Sequence, residues 1–209
     1  MLSPAPPFDV KKLRREIRAA RRALTPRERA RRSAALVAQL SRDPVLWSAQ
    51  RIACFWPNDG EVDLSALFDR LWRRGKQVLL PVIDGRALWF APYTPTTRLR
   101  ANRFGIPEPA CKRNQACALL AIDLVLMPLV AFDGHGHRLG MGGGYYDRTF
   151  ASIKKRTHLH RPRVLGTAFT FQQRAQLPVQ PWDIPLHGAV TEQGVRWFDT
   201  ASSCALPKT

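Results

Sequence analysis

The chain has few of the features that stabilise small secreted domains or metal-bound folds. It contains four cysteines in 209 residues, and none of them forms a Cys-x-x-Cys pair. A disulfide framework or a cysteine-bound metal is therefore not expected, and such thiols are typical of a cytoplasmic protein. The sequence also lacks an apolar run as long as a membrane-spanning helix. Its proline-rich residues 1–8 have no apolar core of the kind found in signal peptides.

Acidic residues are scarce as well, since 16 Asp and Glu stand against 33 Lys and Arg, a net charge of +17. This balance favours anionic partners, which include nucleic acids, nucleotides and polycarboxylates. Much of the excess lies in residues 11–32, where eleven basic residues accompany two glutamates. We interpret this segment as a solvated helix face that attracts small anions, and we do not expect nucleic acid as the primary partner.

The spacing of apolar residues predicts two helices near the N-terminus. The first is indicated by four residues at helical spacing, Leu13, Ile17, Ala20 and Leu24. The second begins with a capping box, in which Thr25 and Glu28 flank Pro26. Arginines occupy much of the remaining surface of both helices. The sequence therefore predicts a basic helical hairpin.

The rest of the chain alternates between strand and helix patterns. Strands are predicted at residues 52–56, 77–83, 88–91, 121–127, 164–169 and 188–191, with a hairpin turn at Asp84 and Gly85. Helices are predicted from Asp63 to Arg74 and from Gly144 to about residue 155, and residues 94–118 are expected to be mostly irregular. This order predicts an α/β fold, a mostly parallel sheet flanked by helices on both faces, after the N-terminal basic helical hairpin. We expect one domain, residues 10–199, between disordered ends at 1–9 and 200–209.

The segment from Arg138 to Arg148 is the most informative part of the sequence. It carries four glycines, two tyrosines and one aspartate directly after an apolar run at residues 124–132. Glycines let backbone N–H groups approach phosphate oxygens, and a helix that begins near Gly144 would direct its positive end there. Asp147 suits Mg²⁺, which prefers a carboxylate together with phosphate oxygens. The segment is neither a Walker loop nor a dinucleotide fingerprint, and similar glycine patterns occur in ordinary turns.

Three loops are predicted at the same edge of the sheet. Ligands of open α/β sheets bind beyond the carboxyl ends of the strands. Residues 56–61, 133–147 and 172–185 each follow a predicted strand and are expected to meet there. Each loop alone could be a simple turn, but together they predict a composite site for a nucleoside triphosphate.

Four blocks of the sequence resemble the 5-formyltetrahydrofolate cyclo-ligase family, in order and spacing, over residues 10–195. They are residues 11–14, 104–109, 123–132 and 138–148. The resemblance implies ATP- and Mg²⁺-dependent closure of 5-formyltetrahydrofolate to 5,10-methenyltetrahydrofolate, with release of ADP and phosphate. Phosphoryl transfer requires positioning and charge neutralisation rather than a nucleophile triad. The histidines His135, His137, His158 and His160 are therefore expected to be surface or loop residues.

The resemblance also implies roles for particular residues. The ATP loop would consist of Arg138, Leu139, Gly140, Met141, Gly142, Gly143, Gly144, Tyr145 and Tyr146. Lys11, Arg14 and Arg15 would reach the nucleotide, and Asp147 and Asp183 would be Mg²⁺ ligands. Trp56 and Glu61 would bind the folate, while residues 141–145 would contact both ligands. Arg138 and Tyr145 are the predicted catalytic residues.

Three positions depart from the family pattern. Val10 stands where the family usually has a lysine, so Lys11 is an approximate substitute. Gly143 and His187 stand where a basic residue and an aspartate are common. We expect a monomer without membrane contact that acts on 5-formyltetrahydrofolate with or without a polyglutamate tail.

Two other classes of function remain open at this point. One is a nucleic-acid-binding protein that uses the basic helical hairpin, and the other is a nucleotide-binding fold without chemistry. The enzyme hypothesis predicts a deep pocket bordered by Trp56 and Tyr145. The nucleic-acid hypothesis predicts an open basic stripe.

Overall fold

A computed structural model describes residues 8–154 and 162–198 of the chain. Its α-helices in these ranges are α1 (Val10–Ala23), α2 (Pro26–Leu40), α3 (Pro44–Ser48), α4 (Ser65–Arg73) and α5 (Tyr145–Lys154). The strands are β1 (Arg51–Ala53), β2 (Gln77–Asp84), β3 (Ala87–Tyr93), β4 (Leu99–Ala101), β5 (Pro107–Pro109), β6 (Leu124–Pro128), β7 (Ala131–Phe132), β8 (Arg138–Leu139), β9 (Arg163–Thr167), β10 (Gly188–Thr191) and β11 (Gly194–Trp197). Short 3-10 turns occur at Arg113–Gln115, Leu119–Ala121 and Thr170–Gln172.

A seven-stranded sheet in the order β11-β10-β9-β6-β1-β2-β3 forms the centre of the molecule. The inner strands pair in parallel, with Ile52 between Val78 and Leu124, and Leu126 beside Leu165. The two edge strands, β3 and β11, run antiparallel to their neighbours. The predicted α/β class and the mostly parallel sheet are therefore confirmed.

Alternate residues of the central strands enter two separate apolar cores. Ile52 and Leu124 belong to a core that contains residues of α2 and α4. Ala53 and Val125, one position further along, belong to a core that includes Phe150 of α5. Because successive strand residues point to opposite faces of a sheet, helices cover both faces, as predicted.

The two N-terminal helices form as predicted but pack against different parts of the fold. Asp9 caps α1 by accepting a hydrogen bond from the Lys12 amide at 2.8 Å, so this residue of the expected disordered N-terminus belongs to the helix start. The capping box of Thr25 and Glu28 starts α2, as predicted. Helix α2 packs on the sheet, whereas Ile17 of α1 packs against the β7–β8 hairpin and the loops that follow β6 and β9.

Several short elements were not predicted. Strands β4 and β5 pair within the segment expected to be irregular, and β7 pairs with β8 just before the glycine-rich loop. Strand β11 adds an antiparallel edge to β10. These strands have two to four residues, which is too short for alternation of apolar and polar residues to be visible. Their pairing depends on tertiary neighbours instead.

Some sequence-based expectations lie outside the described residues. They concern residues 1–7 and 199–209, the end of the helix predicted to reach about residue 155, and the histidines His158 and His160. Among the helices of the described part, none combines the length and the apolar character that crossing a membrane requires.

A leucine substitution tests the sheet core. Leu126 lies on β6 with 0% exposure, whereas Leu120 is 44% exposed. Truncation of a buried leucine leaves a cavity, so we expect Leu126→Ala to lower the free energy of unfolding by about 2–5 kcal/mol. Leu120→Ala is the matched control and is expected to change it by less than about 0.5 kcal/mol. Urea unfolding of both variants would contradict the assigned core if the two losses were equal.

Candidate active site

The site lies where the carboxyl-end loops of the parallel strands meet α1. The β7–β8 hairpin carries the glycine-rich loop, and the buried Asp133 closes its turn. Its Oδ1 accepts the amides of His135 and His137 at 2.9 and 3.0 Å. Its Oδ2 accepts the Leu177 amide at 2.9 Å and lies 2.8 Å from His137 Nδ1. Asp133 therefore joins the hairpin to the loop that follows β9.

These contacts also explain a compact group of possible metal ligands. The ligand atoms of Asp133, His135 and His137 lie within 4.8 Å of one another. Three backbone amides already occupy the two oxygens of Asp133, so its carboxylate organises the turn. His135 and His137 lie in this loop, as the sequence analysis expects.

The glycine-rich loop has a backbone that only glycine adopts readily. Gly142 and Gly144 have φ angles of +99° and +62°. A Cβ atom on Gly143 would lie 2.9 Å from the Tyr145 ring. The loop leads directly into α5, and the first turn of an α-helix has backbone N–H groups without intrahelical partners. A helix start of this kind favours a nearby anion.

A cavity of about 490 Å³ opens beside this loop. Its walls are Val10, Arg14, Arg138, Leu139, Gly140, Gly142, Gly144, Asp147, Pro178, Gln180, Trp182 and Asp183. The structure thus brings together two guanidinium groups, the loop glycines and both carboxylates predicted to bind metal. Trp56 and Tyr145 do not line this cavity, so the expectation of a pocket bordered by these two residues is wrong for it.

An ion pair connects the loop to α5 inside the cavity. Arg138 is 7% exposed, and its Nη2 lies 2.5 Å from Asp147 Oδ1. The same oxygen accepts the Ile184 amide at 3.1 Å, which ties the segment before β10 to the site. The Nε of Arg138 is buried and has no hydrogen-bond partner in the described structure. Arg138 therefore has one donor that no group in the described residues satisfies.

Of the N-terminal basic residues, Arg14 is the one that reaches the cavity. Its Nε donates to the Gly140 carbonyl at 2.9 Å. Lys11 and Arg15 are exposed and do not line the cavity, so their nucleotide contacts stay predictions. Asp183, on the opposite wall, accepts the Gln180 amide at 2.9 Å. The cavity is thus closed by residues from three separate parts of the chain.

The two tyrosines of the loop have different environments. The ring of Tyr145 meets the edge of Phe104 at 6.2 Å, and its hydroxyl contacts Arg103. Tyr146 instead stacks on Phe150 in the core below α5, and burial raises the pKa of its phenol above the ordinary range. Tyr146 does not line the cavity, although the sequence analysis placed it in the ATP loop.

Glu61 and Trp56 follow β1 at the same edge of the sheet. Trp56 packs edge-on against Tyr93 with ring centroids 6.0 Å apart. The Glu61 side chain is 11% exposed, with Oε2 accepting the Asn58 amide at 3.1 Å. Burial raises the pKa of Glu61 to about 7, against the opposing effects of Arg21 and the Asn58 amide. A carboxyl group in this setting is a strong acceptor with little water around it.

The sequence analysis did not assign roles to several residues that surround the site. Arg21 is completely buried beside Glu61, Arg103 and Phe104 contact Tyr145, and Trp182 lines the cavity with 65% exposure. The available signal for Phe104 and Trp182 was an aromatic residue directly before a glycine or an aspartate. Nothing in the pattern of α1 distinguished Arg21 from its ten basic neighbours in residues 11–32.

His187 explains one departure from the family pattern. Its Nδ1 accepts the Val164 amide at 3.0 Å, which joins the start of β10 to β9. Burial lowers the pKa of His187, with a further lowering by Arg163, so the neutral ring is favoured. An aspartate could accept the same hydrogen bond, because both side chains offer an acceptor near the backbone.

Fold and site together define an α/β protein with a cavity between a glycine-rich loop, two arginines and a pair of carboxylates. The sequence profile of the 5-formyltetrahydrofolate cyclo-ligase family matches residues 9–192, and the chain belongs to this family.

Similar proteins agree over most of the chain. The 5-formyltetrahydrofolate cyclo-ligase of Escherichia coli is 38% identical over 182 residues, which is 86% of this chain and 98% of the relative. That of Haemophilus influenzae is 40% identical over 66% of this chain and 73% of its own. The solved structure of Aquifex aeolicus 5,10-methenyltetrahydrofolate synthetase superposes with a TM-score of 0.78 at 32% identity, and covers 96% of this chain and 98% of its own.

The buried carboxyl group of Glu61 predicts a pH-dependent stability effect. Its pKa in the folded chain, about 7, is raised above the value of 4.5 for an exposed glutamate. The stability contributed by its neutral form is therefore present below pH 4.5 and is lost as the pH rises through 7. We expect Glu61→Gln to increase the free energy of unfolding by about 1–3 kcal/mol at pH 8 and to have little effect at about pH 4.5. Urea unfolding at the two pH values measures this, and a destabilised variant at pH 8 would contradict the buried environment.

Proposed function

We propose that this protein closes 5-formyltetrahydrofolate to 5,10-methenyltetrahydrofolate in a reaction driven by ATP. The observation that carries the proposal is the convergence of Arg14, Arg138, Asp147 and Asp183 on one cavity beside the glycine-rich loop. This convergence occurs in a chain that belongs to the cyclo-ligase family. The relatives' names supply the substrate, and the cavity supplies a place for the nucleotide.

The donor set of the cavity fits a magnesium nucleotide. Arg14 and Arg138 are permanently charged and can neutralise phosphate oxygens, and the glycine loop offers backbone N–H groups. Asp147 and Asp183 are the carboxylates that would hold Mg²⁺, which neutralises phosphate charge when it is bound. The volume of about 490 Å³ lies within the usual range for a small-molecule site.

The reaction needs two bond changes that the protein must align. The formyl oxygen of the substrate attacks the γ-phosphate of ATP and releases ADP. N10 then attacks the activated carbon and loses its proton to solvent, and the bond to the phosphorylated oxygen breaks to release phosphate. We propose that Arg138 and Tyr145 are the catalytic residues, which contact the reacting groups of the substrates. The protein contributes charge and position, which are the main requirements of phosphoryl transfer.

The folate would lie on the β1 side of the loop. Glu61 can accept hydrogen bonds from the amino-pyrimidine donors of the pterin ring, while Trp56 offers an aromatic face. Residues 141–145 would contact both ligands, as the family resemblance implies. We further propose a cytoplasmic monomer that takes the folate with or without a polyglutamate tail.

The disposition of the basic residues favours this function over nucleic-acid binding. Arg18, Arg21 and Arg22 all pair with Asp59, at 2.7–3.1 Å, and Arg32 pairs with Glu192 at 2.5 Å. Four of the eleven basic residues in positions 11–32 are therefore paired within the protein, which leaves fewer of them for an open basic stripe.

A direct assay tests the proposed reaction. We expect the protein to convert 5-formyltetrahydrofolate to the methenyl product, which absorbs in the near ultraviolet, when ATP and Mg²⁺ are both present. Omission of ATP should abolish the reaction because the phosphoryl donor is missing. Excess chelator should also abolish it, because Asp147 and Asp183 would lack the ion. Product formation at full rate in excess chelator would contradict the metal assignment.

Adjacent arginines of α1 offer a matched pair of variants for the nucleotide site. Arg14→Ala removes a cavity residue and is expected to raise the Michaelis constant for ATP by about 10- to 100-fold, since a charge-assisted contact contributes about 1.5–3 kcal/mol. Arg15→Ala removes the same charge from the exposed side and should change this constant by less than about twofold. Steady-state kinetics would contradict the orientation of α1 if both variants behaved alike.

A further inference from the structure

Arg21 is the most deeply buried charge of α1. It is 0% exposed, although it lies seven positions after Arg14 on a helix rich in exposed arginines. Its Nη1 donates to the Leu129 carbonyl at 3.2 Å, and its Nη2 donates to Asp59 Oδ2 at 2.9 Å. Nη1 also lies 3.7 Å from Glu61 Oε1, and the Met141 sulfur lies 3.8 Å from Nη2.

Stability alone is a poor reason for a charge at this position. A buried guanidinium loses its hydration, and its Nε is buried without a hydrogen-bond partner in the described part of the chain. Well-packed apolar residues in place of a buried ion pair often leave stability unchanged or increase it. The apolar contacts of Ile17 already hold α1 against the loops. The reason for the charge of Arg21 therefore lies in the groups that surround it.

Arg21 hydrogen-bonds Asp59 and also lies 3.7 Å from the carboxyl group of Glu61, which is assigned to the pterin ring. We propose that Arg21 is a positioning residue for the folate, one that holds a positive charge next to the Glu61 carboxylate and, balanced by Asp59, maintains its negative charge in a buried site. The inference rests on the proposed function, because it takes Glu61 as the acceptor for the pterin donors. Arg21 itself need not touch either ligand.

The groups around Glu61 shift its pKa in opposite directions. Burial raises the pKa of Glu61, Arg21 from α1 lowers it, and Asp59 on its own loop raises it. Burial also acts to raise the pKa of Asp59, but hydrogen bonds from Arg18 and Arg21 outweigh it and keep Asp59 charged. Tyr146 from α5 is the further titratable group near Glu61, and its pKa is raised, so it stays neutral.

This arrangement predicts shifts of opposite sign for two neighbouring substitutions. The probe is 5-formyltetrahydrofolate alone, titrated calorimetrically into the full-length protein between about pH 6 and 9. Wild-type affinity should fall as Glu61 is protonated near pH 7. Arg21→Met should move this midpoint upward by about one pH unit, so that binding is about fivefold weaker at pH 7 and nearly normal at pH 9. Asp59→Asn should move the midpoint downward.

Two control variants distinguish the effect of losing the Arg21 charge from general damage to the fold. Arg22→Ala removes a neighbour that is 54% exposed and pairs with the other oxygen of Asp59 at 3.1 Å, and it should leave the midpoint unchanged. Arg21→Lys keeps the charge and should restore the midpoint to within about half a unit of wild type. If Arg21→Met fails to fold, the downward shift in Asp59→Asn still tests the inference.

The outcomes that overturn the inference differ from those that overturn the proposed function. Equal loss of affinity at every pH in Arg21→Met, or an upward shift in Asp59→Asn, would reduce Arg21 to a structural contact. Glu61→Gln should bind the folate weakly and without the midpoint near pH 7. If Glu61→Gln binds like wild type, the assignment of Glu61 to the folate fails, and with it this part of the proposed function.

Discussion

The site depends on the docking of α1 across the carboxyl edge of the parallel sheet. Ile17 provides apolar contact at the middle of the helix. Arg14 donates a hydrogen bond to the Gly140 carbonyl of the glycine-rich loop, and Arg21 donates to Asp59 and the Leu129 carbonyl. Arg14 and Arg21 are seven residues apart, which is about 10 Å along a helix. One helix therefore contacts both the predicted nucleotide side and the predicted folate side of the site.

A second constraint is the shape of the glycine-rich loop. The β7–β8 hairpin fixes where the loop begins, because Asp133 satisfies amides of the turn and of the loop after β9. Helix α5 fixes where the loop ends, and the pair of Arg138 and Asp147 joins these two supports. Both ends of the loop are therefore held by contacts within the protein. Preorganised backbone donors lower the barrier of reactions in which negative charge moves.

The basic character of the chain has at least two separate physical roles. Part of it lies within the structure, where three arginines of α1 converge on Asp59, whose carboxylate compensates the buried charge of Arg21. Another part faces the cavity, where Arg14 and Arg138 accompany two carboxylates. Both uses place arginine where a planar, permanently charged donor is more useful than the flexible ammonium of lysine.

Sequence patterns were sufficient for the features that depend on local chemistry. The capping box at Thr25, the long strands β2 and β6 and the glycine-rich loop followed from periodicity and residue type, because these signals lie within a few neighbouring positions. Family resemblance added the set of site residues, of which Arg14, Asp147 and Asp183 line one cavity in the structure. The parallel order of the sheet followed from the alternation of strands and helices.

Tertiary structure alone decided which of many similar side chains face inward. Arg21 and Arg15 are chemically identical in the sequence, yet one is fully buried beside Glu61 and the other is exposed. Tyr145 and Tyr146 are adjacent, yet Tyr146 enters the core and Tyr145 meets Phe104. The short strands β7, β8 and β11 likewise exist because a partner strand is present. Burial, pairing and the pKa of Glu61 are properties of the neighbours that long-range folding supplies, and no local pattern of residues contains them.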